Sequence, residues 1–167
     1  MAASGLLASS DYQGGEDMGK KTRFQLAQDY LEQVELLDEI VRNKLIERRQ
    51  WLDMALGITA QMDGERVQSS GTKDKMASAL NRCLDAEREI DEAVDRYADT
   101  KKEVIQTIQR LKNPTWYKLL HQRYIQYIPL VTISERWNMD YTNITTMHGR
   151  ALQCVQQILE EQKRGEH

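Results

Sequence analysis

The residues whose types and spacing could do chemistry lie near the end of the chain: Tyr141, Thr142, Asn143, Thr145, Thr146 and Arg150. On a helix of 3.6 residues per turn they form the early outward turns. None is a nucleophile beside a base, so the chemistry they suit is hydrogen-bonded recognition and not bond-making. An Asn amide can bond adenine through both a donor and an acceptor, and a Thr can bond a base edge or lay its methyl against thymine. Tyr141 could reach a phosphate or a base edge, and Arg150 is better placed for a phosphate. The same side chains would also serve as an ordinary solvated face on a module that binds protein, and that reading stays open. No phosphate loop, paired-carboxylate motif or nucleophile-base constellation stands out, which argues against an enzyme and against a small-molecule substrate or cofactor. His121 and His148 have no Cys or carboxylate at ligand spacing, so no metal site is expected.

Positioning these residues takes a short helix, a turn and a longer helix, and Ile133 to Leu152 has that grammar. Asn138 stands where the chain must reverse and tolerates positive φ better than any residue but Gly. Asp140 immediately precedes the last helix, as an N-cap does. Ser134 is small where two helices would cross. Ile133, Trp137, Met139, Ile144, His148 and Leu152 are spaced as an inner face, with His148 a hydrogen-bonded packing residue. The spacing predicts a helix-turn-helix whose second helix, about 141–160, can lie in a DNA major groove. Upstream, Asn113-Pro114 breaks the chain, and Pro114 can open a helix carrying Trp116, Leu119, Leu120, Tyr124 and Tyr127 on one face. Pro129 suits the start of the next helix, although Thr132 and Glu135 have capping-box spacing and would start it later.

The rest of the chain reads as an arm. Residues 22–112 hold two long apolar-periodic stretches around a loop at about 63–73, with Thr72 or Asp74 as cap of the second helix. The first stretch places Ala27, Tyr30, Val34, Leu37, Val41, Trp51, Ala55, Ile58 and Met62 on a seam. Lys44 and Arg48 interrupt it, and the neighbouring Leu45 and Leu52 are expected to compensate. The second places Met76, Leu80, Cys83, Glu87, Ile90, Val94, Tyr97, Lys101, Val104, Ile108 and Leu111 on its seam. Glu87 is expected to meet Lys44 or Arg48. Two helices of ~60 Å joined by a loop fold back most simply as an antiparallel, coiled-coil-like hairpin. Each buries only one stripe in such a pair, so a further surface is expected from the C-terminal module, a second copy or a partner.

Bulk composition sets limits on this picture. With 167 residues the chain is one domain or two small ones, and 29% charged residues with a single Phe and two Pro suit an elongated helical protein. The formal charge is −3, which gives no general pull toward nucleic acid. Residues 114–167 carry six Lys or Arg and five Asp or Glu, so a lone module would bind DNA weakly and need a dimer, RNA polymerase or another basic surface. Residues 1–21, rich in Ser, Gly and Ala, are expected to be a disordered tail without the apolar core of a signal peptide. No apolar run is long enough to span a membrane. Cys83 and Cys154 lack disulfide or zinc spacing, read as buried free thiols and fit a reducing cytoplasm.

The residues quoted resemble sigma factor region 4. In that family an Ile-Ala pair, a Leu, a turn Gly, an Ile, a capping Ser and a Val precede Arg-Ala-Leu. Ile133-Ser134, Trp137, Asn138, Met139, Asp140, Ile144 and Arg150-Ala151-Leu152 occupy those places without a gap. Asn replaces the turn Gly, Ser replaces Ala and Trp replaces Leu; Met139 and Pro129 are also atypical. His148 to Leu152 is more specifically similar to a phage and prophage group related to late-gene regulators of the RinA/ArpU type. Val67 to Met76 resembles the inter-helix loop of that group. The resemblance covers roughly residues 22 to 160. It implies an all-α protein whose helical arm leads into a region-4-like helix-turn-helix, in the cytoplasm of a bacterial host. It also implies a regulator of phage or prophage transcription that contacts double-stranded DNA through residues 141–150, with the arm for homodimerisation or RNA polymerase contact. The alternative is a coiled-coil assembly or protein-interaction protein without autonomous DNA binding.

Overall fold

The computed structural model describes residues 24–64 and 70–165. The expected tail at residues 1–21 lies outside the described residues. The described chain is all-α, and its largest contact is the pairing of its two longest helices. Helix α1 runs Gln25–Gly64 and α2 runs Ser70–Gln109, each 40 residues. Then come α3 (Pro114–Leu120), a π-helical turn (His121–Ile125), α4 (Leu130–Trp137) and α5 (Tyr141–Gly165). None of the described helices is long and apolar enough to cross a membrane.

The hairpin of α1 and α2 pairs as expected, with corrections in its details. Helix α2 starts at Ser70, so Thr72 and Asp74 lie inside it and not at its cap position, and residues 63, 64 and 70–73 of the expected loop are helical. Glu87 receives two hydrogen bonds from the Arg48 guanidinium at 2.6 and 3.0 Å, while Lys44 bonds Glu89 at 2.6 Å. The ladder therefore puts α1 residue 44 level with α2 residue 89, and 48 with 87. Leu80 and Val94 do not hold the seam. Their neighbours Ala79 and Ala93 are buried instead, and both larger residues are exposed. Leu45 is also exposed and Leu52 only half-buried, so neither fills the gap beside Lys44 and Arg48. Ile58 and Met62 lie outside the residues whose side chains are described.

The main core sits at the base of the hairpin, where Ala27, Leu31 and Val34 of α1 meet Val104, Ile108 and Leu111 of α2. Leu120, Tyr124 and Ile125 close it from one side, and Ala151, Leu152, Val155 and Leu159 of α5 close it from another. Each large apolar side chain buried there contributes about 2 kcal/mol of transfer free energy. The arm and the C-terminal part thus share one core. Gln156 of α5 accepts a hydrogen bond from the backbone N–H of Ala27 at 3.0 Å, satisfying one of the amides that a helix leaves free in its first turn. Tyr127 reaches the Val34 carbonyl at 3.4 Å, and burial pushes its hydroxyl pKa up.

The segment between Pro114 and α4 holds turns that periodicity did not predict. Pro114 does open α3, and the Asn113 side chain accepts from the N–H groups of Thr115 and Trp116 at 2.9 and 3.3 Å. One turn later the ladder widens to π spacing, with Gln126 N–H bonded to the His121 carbonyl at 3.1 Å. Tyr127 takes φ 57°, and the side-chain oxygen of Gln122 is buried with no hydrogen-bond partner. Helix α4 begins at Leu130, directly after Pro129, so Thr132 and Glu135 form no capping box at its start.

Candidate nucleic-acid interface

The turn between α4 and α5 rests on Asn138, which adopts φ 51° and ψ 48°. Its N–H bonds the Glu135 carbonyl at 3.1 Å, and the N–H of Met139 bonds the Ser134 carbonyl at 2.9 Å. This closure satisfies carbonyls that a helix end leaves open. Asn138→Gly should therefore leave the urea midpoint nearly unchanged. Asn138→Val should destabilise by about 1–2 kcal/mol, because a β-branched residue is strained at positive φ. An unchanged midpoint for the Val variant would mean that the turn does not hold this conformation in solution.

Beneath the turn, Leu119, Ile133 and Ile144 form a small second core, flanked by Ile128, Leu130, Trp137 and Met147. Ser134 is buried, and its hydroxyl donates to the Val131 carbonyl at 2.6 Å. Lys118 stands 5.1 Å over the Trp137 ring. Met139 leaves the expected inner face: it is exposed, because the chain has already reversed at Asn138. Asp140 precedes α5 as expected, its backbone carbonyl accepting from the N–H groups of Asn143 and Ile144 at 3.0 and 3.1 Å.

Helix α5 is one continuous rod with two different halves. From Ala151 to Leu159 it packs into the hairpin base. From Tyr141 to Arg150 only Ile144 is fully buried. Tyr141, Thr142, Asn143, Thr146 and Arg150 are exposed, and Thr145 is half-buried. The hydroxyls of Thr145 and Thr146 both donate to the Thr142 carbonyl, at 2.9 and 2.8 Å. With their protons so engaged, the two oxygens are left with acceptor capacity, suited to an exocyclic amino group of adenine or cytosine. Asn143 keeps both donor and acceptor, and Arg150 adds the stripe's cation.

Two residues extend this stripe beyond those expected. Exposed Gln153 and Gln157 continue the steps of three and four from Thr146 and Arg150, a spacing already visible in the sequence. Arg136, exposed in the last turn of α4, is a second cation near the turn, while Glu135 and Asp140 place negative charge there. The local field is therefore mixed.

Behind the stripe, His148 stacks on Tyr124 and bonds its hydroxyl through Nε2 at 2.9 Å. Burial, with the positive charge of Arg123 adding to it, pulls the His148 pKa down to about 4, and burial pushes Tyr124 up to about 12. His148 is thus a neutral packing residue, as expected. Cys83 is buried, whereas Cys154 is only half-buried. Among the described residues no group of His, Cys, Asp and Glu could hold a metal ion. Comparison of the chain with family models, curated proteins and solved structures finds no match.

Proposed function

We propose that the chain is a DNA-binding regulator of transcription whose α5 enters the major groove with Tyr141, Thr142, Asn143, Thr145, Thr146 and Arg150. The observation that carries this reading is the division of α5. Its C-terminal half is fixed in the core, while its N-terminal half carries a row of hydrogen-bonding groups out to solvent behind a tight left-handed turn. A rigid helix that presents hydrogen-bonding groups with free donor or acceptor capacity is what base-edge readout requires. The resemblance to sigma factor region 4 and to phage and prophage late-gene regulators supports the same reading and suggests a bacterial cytoplasmic setting with RNA polymerase as a further partner. The near-neutral surface means that phosphate contacts supply little affinity, so binding depends on two modules acting together or on polymerase.

Selection of bound sequences from a random duplex pool tests the proposal. The wild-type chain should enrich one motif at low salt. Asn143→Ala with Arg150→Ala should weaken binding to that motif at least about tenfold, with Arg150 also lowering the salt slope by about one. Absence of any enriched motif at low salt, with the fold intact, would refute the reading. It would favour the alternative of a coiled-coil assembly or interaction protein, which the exposed leucines of the hairpin support.

A further inference from the structure

The outer half of the hairpin is built inside out for a pair of helices standing alone. Among the described residues its buried apolar side chains are mostly small, namely Ala55, Ala79, Cys83 and Ala93, with Ile90 the large exception. Its leucines point away from the seam, with Leu45 48% exposed, Leu56 59%, Leu80 41% and Leu84 59%. They share one side. On α1, Leu45, Leu52 and Leu56 follow steps of seven and four, which returns to one face. On α2, Leu80, Leu84 and Glu87 follow steps of four and three. The bond from Arg48, which lies between Leu45 and Leu52 on α1, to Glu87 brings these two stripes to the same flank. Trp51 and Arg82, whose guanidinium lies 4.5 Å over the indole, mark the other. Leu45, Ile46, Arg48, Arg49, Leu52 and Asp53 line a shallow groove on the leucine flank. Isolated exposed leucines are ordinary, but a contiguous stripe across two helices marks an interaction surface.

We propose that this flank is the dimer interface of the chain, with a second copy packed face to face as a four-helix bundle. Charge identifies the occupant. By helical spacing from Leu45 and Leu80, this flank carries Arg42, Arg48 and Arg49 on α1 and Glu87, Asp91 and Asp95 on α2. Within the same copy Arg42 is bonded to Asp38 and Arg48 to Glu87, and Arg49 lies 3.9 Å from Asp53. The cations of the face thus run along one helix and the carboxylates of Asp91 and Asp95 along the other, and another copy of the chain carries the complement. A two-fold axis along the hairpin lays each α1 against the partner's α2. A two-fold axis across the hairpin would lay α1 on α1, positive on positive. Complementarity selects the first, which leaves both C-terminal modules at the same end of the dimer. The levels set by Lys44–Glu89 and Arg48–Glu87 then bring Arg42 level with Asp91 of the opposing copy. The area suffices. A face ~25 Å long and two helices wide offers on the order of 800 Å² of accessible surface per copy, the standard size of a stable interface. This inference does not depend on what α5 binds.

Sedimentation equilibrium of the full chain at micromolar concentrations tests it. The wild type should be a dimer. Leu45→Gln with Leu84→Gln, which keeps helix propensity, should raise the dissociation constant at least about tenfold with helicity unchanged. Arg42→Glu alone should weaken the dimer, and Arg42→Glu with Asp91→Lys should restore it. That rescue would not follow from a general loss of fold. A wild-type monomer, or a dimer indifferent to the leucine changes, would overturn the proposal. A dimer sensitive to the leucines but blind to the charge reversal would overturn the arrangement of α1 against α2.

Discussion

Ile144→Ala will lower the free energy of unfolding by about 3 kcal/mol, within the range of buried large-to-small changes, and the loss will be local. Ile144 is fully buried, and the cluster it belongs to has only two other fully buried members, Leu119 and Ile133. Removing one large side chain from so small a core leaves a cavity that neighbouring Trp137 and Met147 cannot fill without leaving their own positions. The C-terminal half of α5 has a separate anchorage through Ala151, Leu152, Val155 and Leu159. Hydrogen exchange should therefore show amides of residues 130–147 losing protection while those of 151–159 keep most of theirs. Val155→Ala, in the larger core, should lower protection in α1, α2 and α5 together. Equal loss across the whole chain for Ile144→Ala would mean that the two cores form one cooperative unit.

That division is also where DNA recognition would be won or lost. The outward stripe gains its orientation from the small core beneath the turn, while the position of the whole helix is set by the hairpin base. Ile144→Ala should therefore weaken sequence-specific binding without touching any residue on the exposed face. Such an effect, set beside Asn143→Ala, separates loss of a contact from loss of the platform that presents it.

The elements that were legible in the sequence are those where one residue type answers one backbone demand. Asn138 at positive φ, Pro114 at the opening of α3 and the apolar periodicity of the two long helices each report a local requirement, and the structure has them in place. Where two adjacent residues could both serve, periodicity could not choose. Ala79 and Leu80 are both apolar and lie about 100° apart on the helix, as do Ala93 and Val94. The smaller of each pair is buried, which lets the backbones approach closely and turns the leucine outward. The π turn at His121–Ile125 and the positive φ of Tyr127 had no local signal either. Neither Gln122 nor Tyr127 favours those conformations; the packing of Tyr124, Ile125 and Tyr127 against the hairpin base imposes them. On the first half of α5 the sequence places the polar stripe outward, where the structure has it. The engagement of both Thr hydroxyls with the Thr142 carbonyl is a matter of rotamer, which spacing does not carry.

The second large effect is an acid-induced loss of stability traceable to His148. Its imidazole has an ordinary pKa of 6.5 in the unfolded chain and about 4 in the folded one. The folded value is the lower, so the unfolded chain takes up the proton first as pH falls. The stabilisation is present above about pH 6.5 and is lost progressively toward pH 4. The cause is burial against Tyr124, reinforced by the positive charge of Arg123. Arg123 is held on that side by Glu35 at 3.7 Å and by the Tyr124 ring at 5.2 Å. From pH 7 to pH 4.5 the wild type should lose about 2 kcal/mol through this residue alone. His148→Gln keeps a side chain able to bond the Tyr124 hydroxyl but cannot take up a proton, so it should not show that component. Urea unfolding of both proteins at the two pH values isolates it, because every carboxylate titration common to the two cancels in the difference. Parallel losses in the two proteins would mean that His148 is protonated in the folded state without penalty. Because His148 lies on α5 between the stripe and the main core, its protonation should also loosen the helix at the junction of its two halves. Protection at residues 144–148 should then fall before that of the hairpin base as the solution is acidified.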